Sequence, residues 1–176
     1  MIQDEYVSKV WYVQEQLINA YQPEENLFCV RANYTKTSDT TLEVRNFARA
    51  GSVRGEAVGG DMVLSAFIPD TDVPAKLKVG PSFIPRALYG DYWIVAQDRD
   101  NKSWAIISGG QPTIEISPGL CSTESANNIR QQGGLWLFTR ERKVSKEIVD
   151  LMKKKANDLG IDTTQLKKVV QSDECE

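Results

Sequence analysis

From Val10-Trp11-Tyr12 to the run Leu135-Trp136-Leu137-Phe138-Thr139-Arg140, almost every apolar run in this chain is short and has the period of a strand. A helical period appears only after Arg140. A chain patterned in this way is all-β over most of its length and must deal with the edges of its own sheet. Closing an antiparallel sheet into a barrel removes those edges. A closed barrel also has an inside, where a function can be housed.

Residues 10–13 read as the first strand, followed by a polar loop through 19–23. Leu27 to Thr35 is a strand, 36–40 its turn, and Thr41 to Phe47 alternates in the half-buried pattern. Arg54 to Val58 reads as a weaker strand, with Gly59-Gly60-Asp61 as a turn into Met62 to Ile68. Ala75 to Val79 follows Pro74. The strongest pair is Tyr92–Gln97 with Trp104–Ser108, joined by a polar turn of hairpin length. About eight strands follow one another with no helical crossover, which argues against a parallel sheet.

Residues 109–134 are rich in Gly, Pro, Ser and Asn, too long for a hairpin loop. Either Thr113–Ile116 adds a short edge strand or the segment folds over something. After Arg140, Val144, Ile148, Leu151, Met152 and Leu159 recur at helical spacing, with Ser145 as N-cap and Gly160 as stop. A single apolar stripe places this helix, about 146–159, outside the sheet. The tail 161–170 reads as extended or loosely turned, with Leu166 and Val170 as candidate anchors.

The 176 residues fit one domain, 1–176, with an insertion at about 109–134. With 21 Lys plus Arg against 24 Asp plus Glu, net charge is −3, and no basic block is interleaved with aromatics, so nothing points to nucleic acid. Lys153-Lys154-Lys155 falls where it complements the helix dipole. No apolar stretch approaches 18 residues, so no transmembrane segment is expected. The run after Met1 lacks a basic-then-apolar leader, which says nothing firm about compartment.

The sequence contains no histidine, which rules out Ser-His-acid and Cys-His arrangements and the usual zinc and haem ligand sets. Cys29, Cys121 and Cys175 are too far apart for a compact metal site, and permit one disulfide and one leftover thiol. Asp70 with Asp72, and Asp98 with Asp100, belong to turns. Neither an enzyme, a metal nor a cofactor is expected. Concave binding is better supported: inward aromatics can grip an elongated apolar ligand, with a tyrosine hydroxyl orienting it.

Several motifs then carry a resemblance. Lys9-Val10-Trp11 stands in the place of a Gly-x-Trp block, Tyr92 to Trp104 with Asp98 matches a central strand-turn-strand block, and Leu135 to Arg140 matches a third with its arginine. Cys29 to Tyr34, Pro74 to Leu77 and the helix from Ser145 add further matches. The chain thus resembles the lipocalins over nearly its whole length, closest to their apolipoprotein-D-like and bacterial-lipocalin-like branch. The departures are Lys9 in place of glycine and the long insertion.

The resemblance implies an eight-stranded antiparallel up-and-down calycin barrel with one C-terminal α-helix packed outside. It implies that Trp11 closes the narrow end with Arg140 across it, and that Cys29 pairs with Cys175, leaving Cys121 unpaired or bonded elsewhere. That pairing implies an oxidising compartment, whether secreted, periplasmic or organelle-lumenal. The sequons at Asn33 and Asn101 are usable only in a secreted eukaryotic protein. Tyr34, Tyr92 and Trp136 face the cavity in that branch, and strand parity adds Val30, Ala32, Ile94 and Phe138, with Val44 and Ile106 as weaker candidates. The insertion falls at the barrel mouth.

The leading expectation is therefore binding, transport or sequestration of a small hydrophobic ligand such as a fatty acid, lysophospholipid, retinoid, sterol-like compound or carotenoid. A second is a structural or regulatory subunit docking on a lipid- or pigment-containing assembly, with residues 109–134 meeting a protein or membrane-associated partner. A third is a lipid- or carotenoid-modifying enzyme, which would need acids inside the barrel.

Overall fold

The computed structural model describes residues 4–100, 102–123 and 133–175. Eight strands of one antiparallel sheet form the barrel wall: β1 (Trp11–Gln16), β2 (Phe28–Lys36), β3 (Thr41–Arg49), β4 (Ala57–Phe67), β5 (Lys76–Pro81), β6 (Gly90–Gln97), β7 (Trp104–Ser108) and, after the insertion, β10 (Leu135–Thr139). Each pairs with its neighbour, and β10 pairs back with β1 from Tyr12↔Thr139 to Gln16↔Trp136, so the barrel is closed. This is the calycin architecture, with helix α2 (Lys146–Asp158) packed outside. A short helix α1 (Asp4–Val7) precedes β1 and buries Tyr6.

Two apolar layers result. The inner cluster includes Trp11, Val30, Tyr34, Val44, Ile107 and Phe138; the outer joins Trp104, Ile106, Leu135 and Leu137 to Met152 and Ala156 of α2. The outer layer explains why β7 is buried at all five positions: the barrel interior covers one face and α2 the other.

Local differences from the sequence reading have identifiable causes. Strand β1 continues to Gln16 because its glutamines find partners: Gln14 Nε2 donates to Thr139 Oγ1 at 2.8 Å and to the Arg142 carbonyl at 3.0 Å. The turn at 59–61 is instead a bulge inside one continuous strand, where the register slips between Arg45 and Phe47. Gly59, at φ 79°, permits it, since a Cβ there would lie 2.6 Å from the Asn46 carbonyl oxygen. Ser145 holds the N-cap position without a side-chain cap bond. The buried stripe of α2 is Met152 and Ala156, flanked by Ile148, whereas Leu151 and Leu159 are 40% and 56% exposed.

In the tail it is Val169, not Val170, that is buried. Val169 donates its amide to the Gln14 carbonyl, and β11 (Lys167–Lys168) pairs with β1. Within the insertion, β8 (Ile114–Ser117) and β9 (Leu120–Ser122) form their own two-stranded sheet rather than an edge of the barrel. It docks through Cys121, whose amide donates to the Gly160 carbonyl and whose carbonyl accepts from the Asp162 amide.

Cys29 is bonded to Cys175, and Cys121 is free. A β-bulge between Phe28 and Arg31, with Cys29 at φ 56°, lets adjacent Cys29 and Val30 both be buried, one bonded to the tail and one in the inner cluster. Asn33 is exposed on β2, and Asn101 lies outside the described residues. No helix among the described residues is long and apolar enough to cross a membrane.

Candidate functional site

Alternation along β2 and β3 turns Val30, Ala32, Tyr34 and Val44 into the inner cluster, where all four are buried. Phe138 joins them from β10, while Tyr92, Ile94 and Trp136 pack against the cluster but are only partly buried. Ile106 does not belong to this group. It lies in the outer cluster under α2, and Ala105 and Ile107 are the inward residues of β7. The bulge between Ile94 and Ala96 shifts the pairing of β6 on β7, so parity counted along β6 does not carry across.

At the closed end, Trp11 is 1% exposed and the Arg140 guanidinium lies 3.6 Å from its ring centroid. Arg140 also donates to the backbone carbonyls of Glu5, Tyr6 and Lys9, and Trp11 Nε1 donates to the Tyr6 carbonyl at 2.9 Å. Arg140 thereby binds the N-terminal segment across the barrel floor. This fixes Tyr6, which the sequence reading had not singled out, above Trp11 with ring centroids 5.1 Å apart.

Tyr6 completes a chain of three phenols. Its hydroxyl lies 2.6 Å from that of Tyr92, which lies 2.7 Å from that of Tyr34. Burial pushes all three well above the usual tyrosine range, so they are neutral hydrogen-bonding groups at any physiological pH. Tyr6 and Tyr34 also interact through their hydroxyls, so each of the three has the other two as partners. The three hydroxyls form one polar cluster within an aromatic and aliphatic environment.

This arrangement has a pH consequence. An unfolded tyrosine ionises near pH 10, the buried ones only above that, so the folded chain retains protons that the unfolded chain releases. Their contribution to stability is complete below about pH 10 and is lost as pH rises further. Denaturant unfolding between pH 9 and 11.5 is expected to show a steeper decline for the native protein than for Tyr92→Phe; equal slopes would contradict the assignment.

Around this floor lies a cavity of about 700 Å³, into which Tyr6, Leu42, Leu77 and Ile94 project from the barrel side. Of the ligand candidates read from sequence, Ile94 alone lines it. At the other end, Trp136 is seated against Gly134, where a Cβ would lie 2.2 Å from the indole. The Gly134 amide donates to Thr123 Oγ1 at 2.8 Å, which ties the insertion to the start of β10 beside Trp136. No group of three His, Cys, Asp or Glu that could hold a metal occurs among the described residues.

Comparison with known proteins meets this geometry at the level of family. The model for the lipocalin-like domain matches residues 7–115, from the end of α1 to the first insertion strand. This chain belongs to the lipocalin-like family. Solved lipocalin-like structures share its fold at low identity. Lobster apocrustacyanin A1 is 17% identical, covering 95% of this chain and 78% of its own, with a TM-score of 0.63. The major allergen Per a 4 from cockroaches is 16% identical, covering 98% and 89%, with a TM-score of 0.62. Insecticyanin from the tobacco hornworm Manduca sexta is 14% identical, covering 99% and 83%, with a TM-score of 0.64. Comparison with curated protein sequences finds no match.

Proposed function

We propose that this lipocalin-like protein is a non-enzymatic carrier or sequestering protein for a small hydrophobic molecule. The observation that carries this reading is the tyrosine cluster: three hydroxyls in hydrogen-bond contact on an otherwise apolar barrel interior, one of them on Tyr6, which lines the 700 Å³ cavity. Such a chamber holds a ligand through apolar area removed from water, at about 25 cal/mol per Å² before ordering costs, while the hydroxyl orients it. A fatty acid, lysophospholipid, retinoid, sterol-like compound or oxygen-bearing carotenoid satisfies both requirements. Val30, Ala32, Tyr34, Val44, Tyr92, Ile94, Trp136 and Phe138 are the contacts assigned to it, with Tyr6 added.

The Cys29–Cys175 bond supports an oxidising compartment and, with the barrel, the apolipoprotein-D-like branch. Mass spectrometry of natively purified protein tests the reading. A retained apolar ligand is expected, and Tyr92→Phe is expected to weaken its binding about 2- to 13-fold, the worth of one neutral hydrogen bond. Failure to retain or take up any such lipid would contradict it.

A second reading has its own observation. Leu17, Ile18, Ile114, Ile116 and Leu166 line a groove of about 550 Å³ beside the insertion sheet, and Ile18, Ile114 and Ile116 are 37%, 44% and 38% exposed. This supports docking of the insertion on a larger assembly. Ile114→Ser with Ile116→Ser is expected to release a co-purifying partner while leaving ligand uptake unchanged; retention of the partner would count against docking.

A further inference from the structure

The barrel wall is incomplete at one corner. Strand β5 begins at Lys76, whose partner on β6 is Trp93, and beyond it the Ile94 amide donates to the Ala75 carbonyl at 2.9 Å. Strand β6 runs on to Gln97, so Val95 to Gln97 have no β5 neighbour. The 700 Å³ cavity occupies this corner. Besides the inner residues Leu77 and Ile94, it is lined by Val95 and Trp104 of the outer cluster and by Leu159 just beyond α2. One continuous space therefore joins the tyrosine floor to the groove beside the end of α2. Leu159, 56% exposed, is an apolar side chain left uncovered there.

The charges at its outer rim are unequal in availability. Asp98 already accepts from the Ser103 hydroxyl at 2.5 Å, and Asp158 is paired with Lys154 at 2.8 Å. Arg99 and Lys155 line the same rim, and neither has a carboxylate partner among the described residues. Against these two cations stand the charge of Asp98, which its bonds to neutral donors do not cancel, and about half a negative charge at the nearby C-terminus of α2, so the rim stays net positive.

We propose that this corner is a lateral binding site for a long-chain carboxylate, its apolar chain passing between Val95, Trp104 and Leu159 toward the barrel floor and its carboxylate held by Arg99 and Lys155. The site is distinct from a mouth-entered ligand position beside Trp136, and it stands or falls separately from it. The apolar chain supplies most of the affinity, because exposed ion pairs contribute little each.

The test is isothermal calorimetry with a C18 fatty acid and the C18 alcohol of the same chain, on the native protein, Arg99→Glu/Lys155→Glu and Arg99→Gln/Lys155→Gln. Both variants change exposed side chains, and circular dichroism verifies their fold. The expected result is about tenfold weaker binding of the acid to the Glu variant, a smaller loss for the Gln variant, and less than a twofold change for the alcohol. Equal effects on acid and alcohol, or no effect on either, would overturn the lateral site. Quenching of Trp136 by an acid whose affinity ignores both variants would do the same while leaving the barrel carrier reading intact.

Discussion

Replacing Cys29 and Cys175 together by alanine is expected to lower the free energy of unfolding by about 5 kcal/mol, the chain-entropy value for a loop this long. The bond joins residues 146 apart, so its loss frees most of the unfolded chain. Both sulfurs are buried, and the bond adds to a set of hydrogen bonds that hold the tail. Cys29 donates its amide to the Val170 carbonyl, Val170 donates to the Leu27 carbonyl, and Gln171 Nε2 donates to the carbonyls of Val13 and Val30. Urea unfolding of the double variant measures the loss directly. A change under about 1 kcal/mol would mean that the tail is held by these backbone bonds alone.

The second large effect is expected at the floor. Trp11→Ala removes a fully buried indole that contacts Tyr6, Phe138 and Arg140, and should cost about 3–5 kcal/mol. Arg140→Lys is the more discriminating change. An ammonium keeps the charge but cannot stack flat on the indole while donating to carbonyls of Glu5, Tyr6 and Lys9. The N-terminal segment should then loosen, exposing Tyr6. Hydrogen exchange of residues 4–10 in Arg140→Lys checks this: faster exchange there with the barrel strands unchanged is expected, and unaltered protection would contradict the role given to Arg140.

Much of this was legible in the sequence because the deciding signals are local. Trp11 and Arg140 open and close the barrel, β6 and β7 flank the polar turn read between them, and α2 begins and ends beside Ser145 and Gly160. What escaped was set by long-range packing. Ile106 was misassigned because β7 is covered on both faces and shows no alternation, and because a bulge offsets its neighbour. Strand β4 was split in two because a glycine pair reads as a turn, although here it forms a bulge within the sheet. Tyr6 had no periodic signal in its four-residue helix, and only the fold across Trp11 brings its hydroxyl to Tyr92. The unpaired corner between β5 and β6 follows from where β5 starts, which Pro74 alone does not reveal.

The central claim is that the barrel interior binds an apolar ligand between the tyrosine chain and Trp136. Titrating the protein with a panel of apolar ligands while following tryptophan fluorescence tests it most directly, with Trp136→Phe separating this indole from Trp11, Trp93 and Trp104. Saturable quenching in the native protein that is lost in Trp136→Phe, and weakened in Tyr92→Phe, is the result expected. Fluorescence that no ligand alters, or quenching that persists unchanged in Trp136→Phe, would contradict a ligand in the barrel.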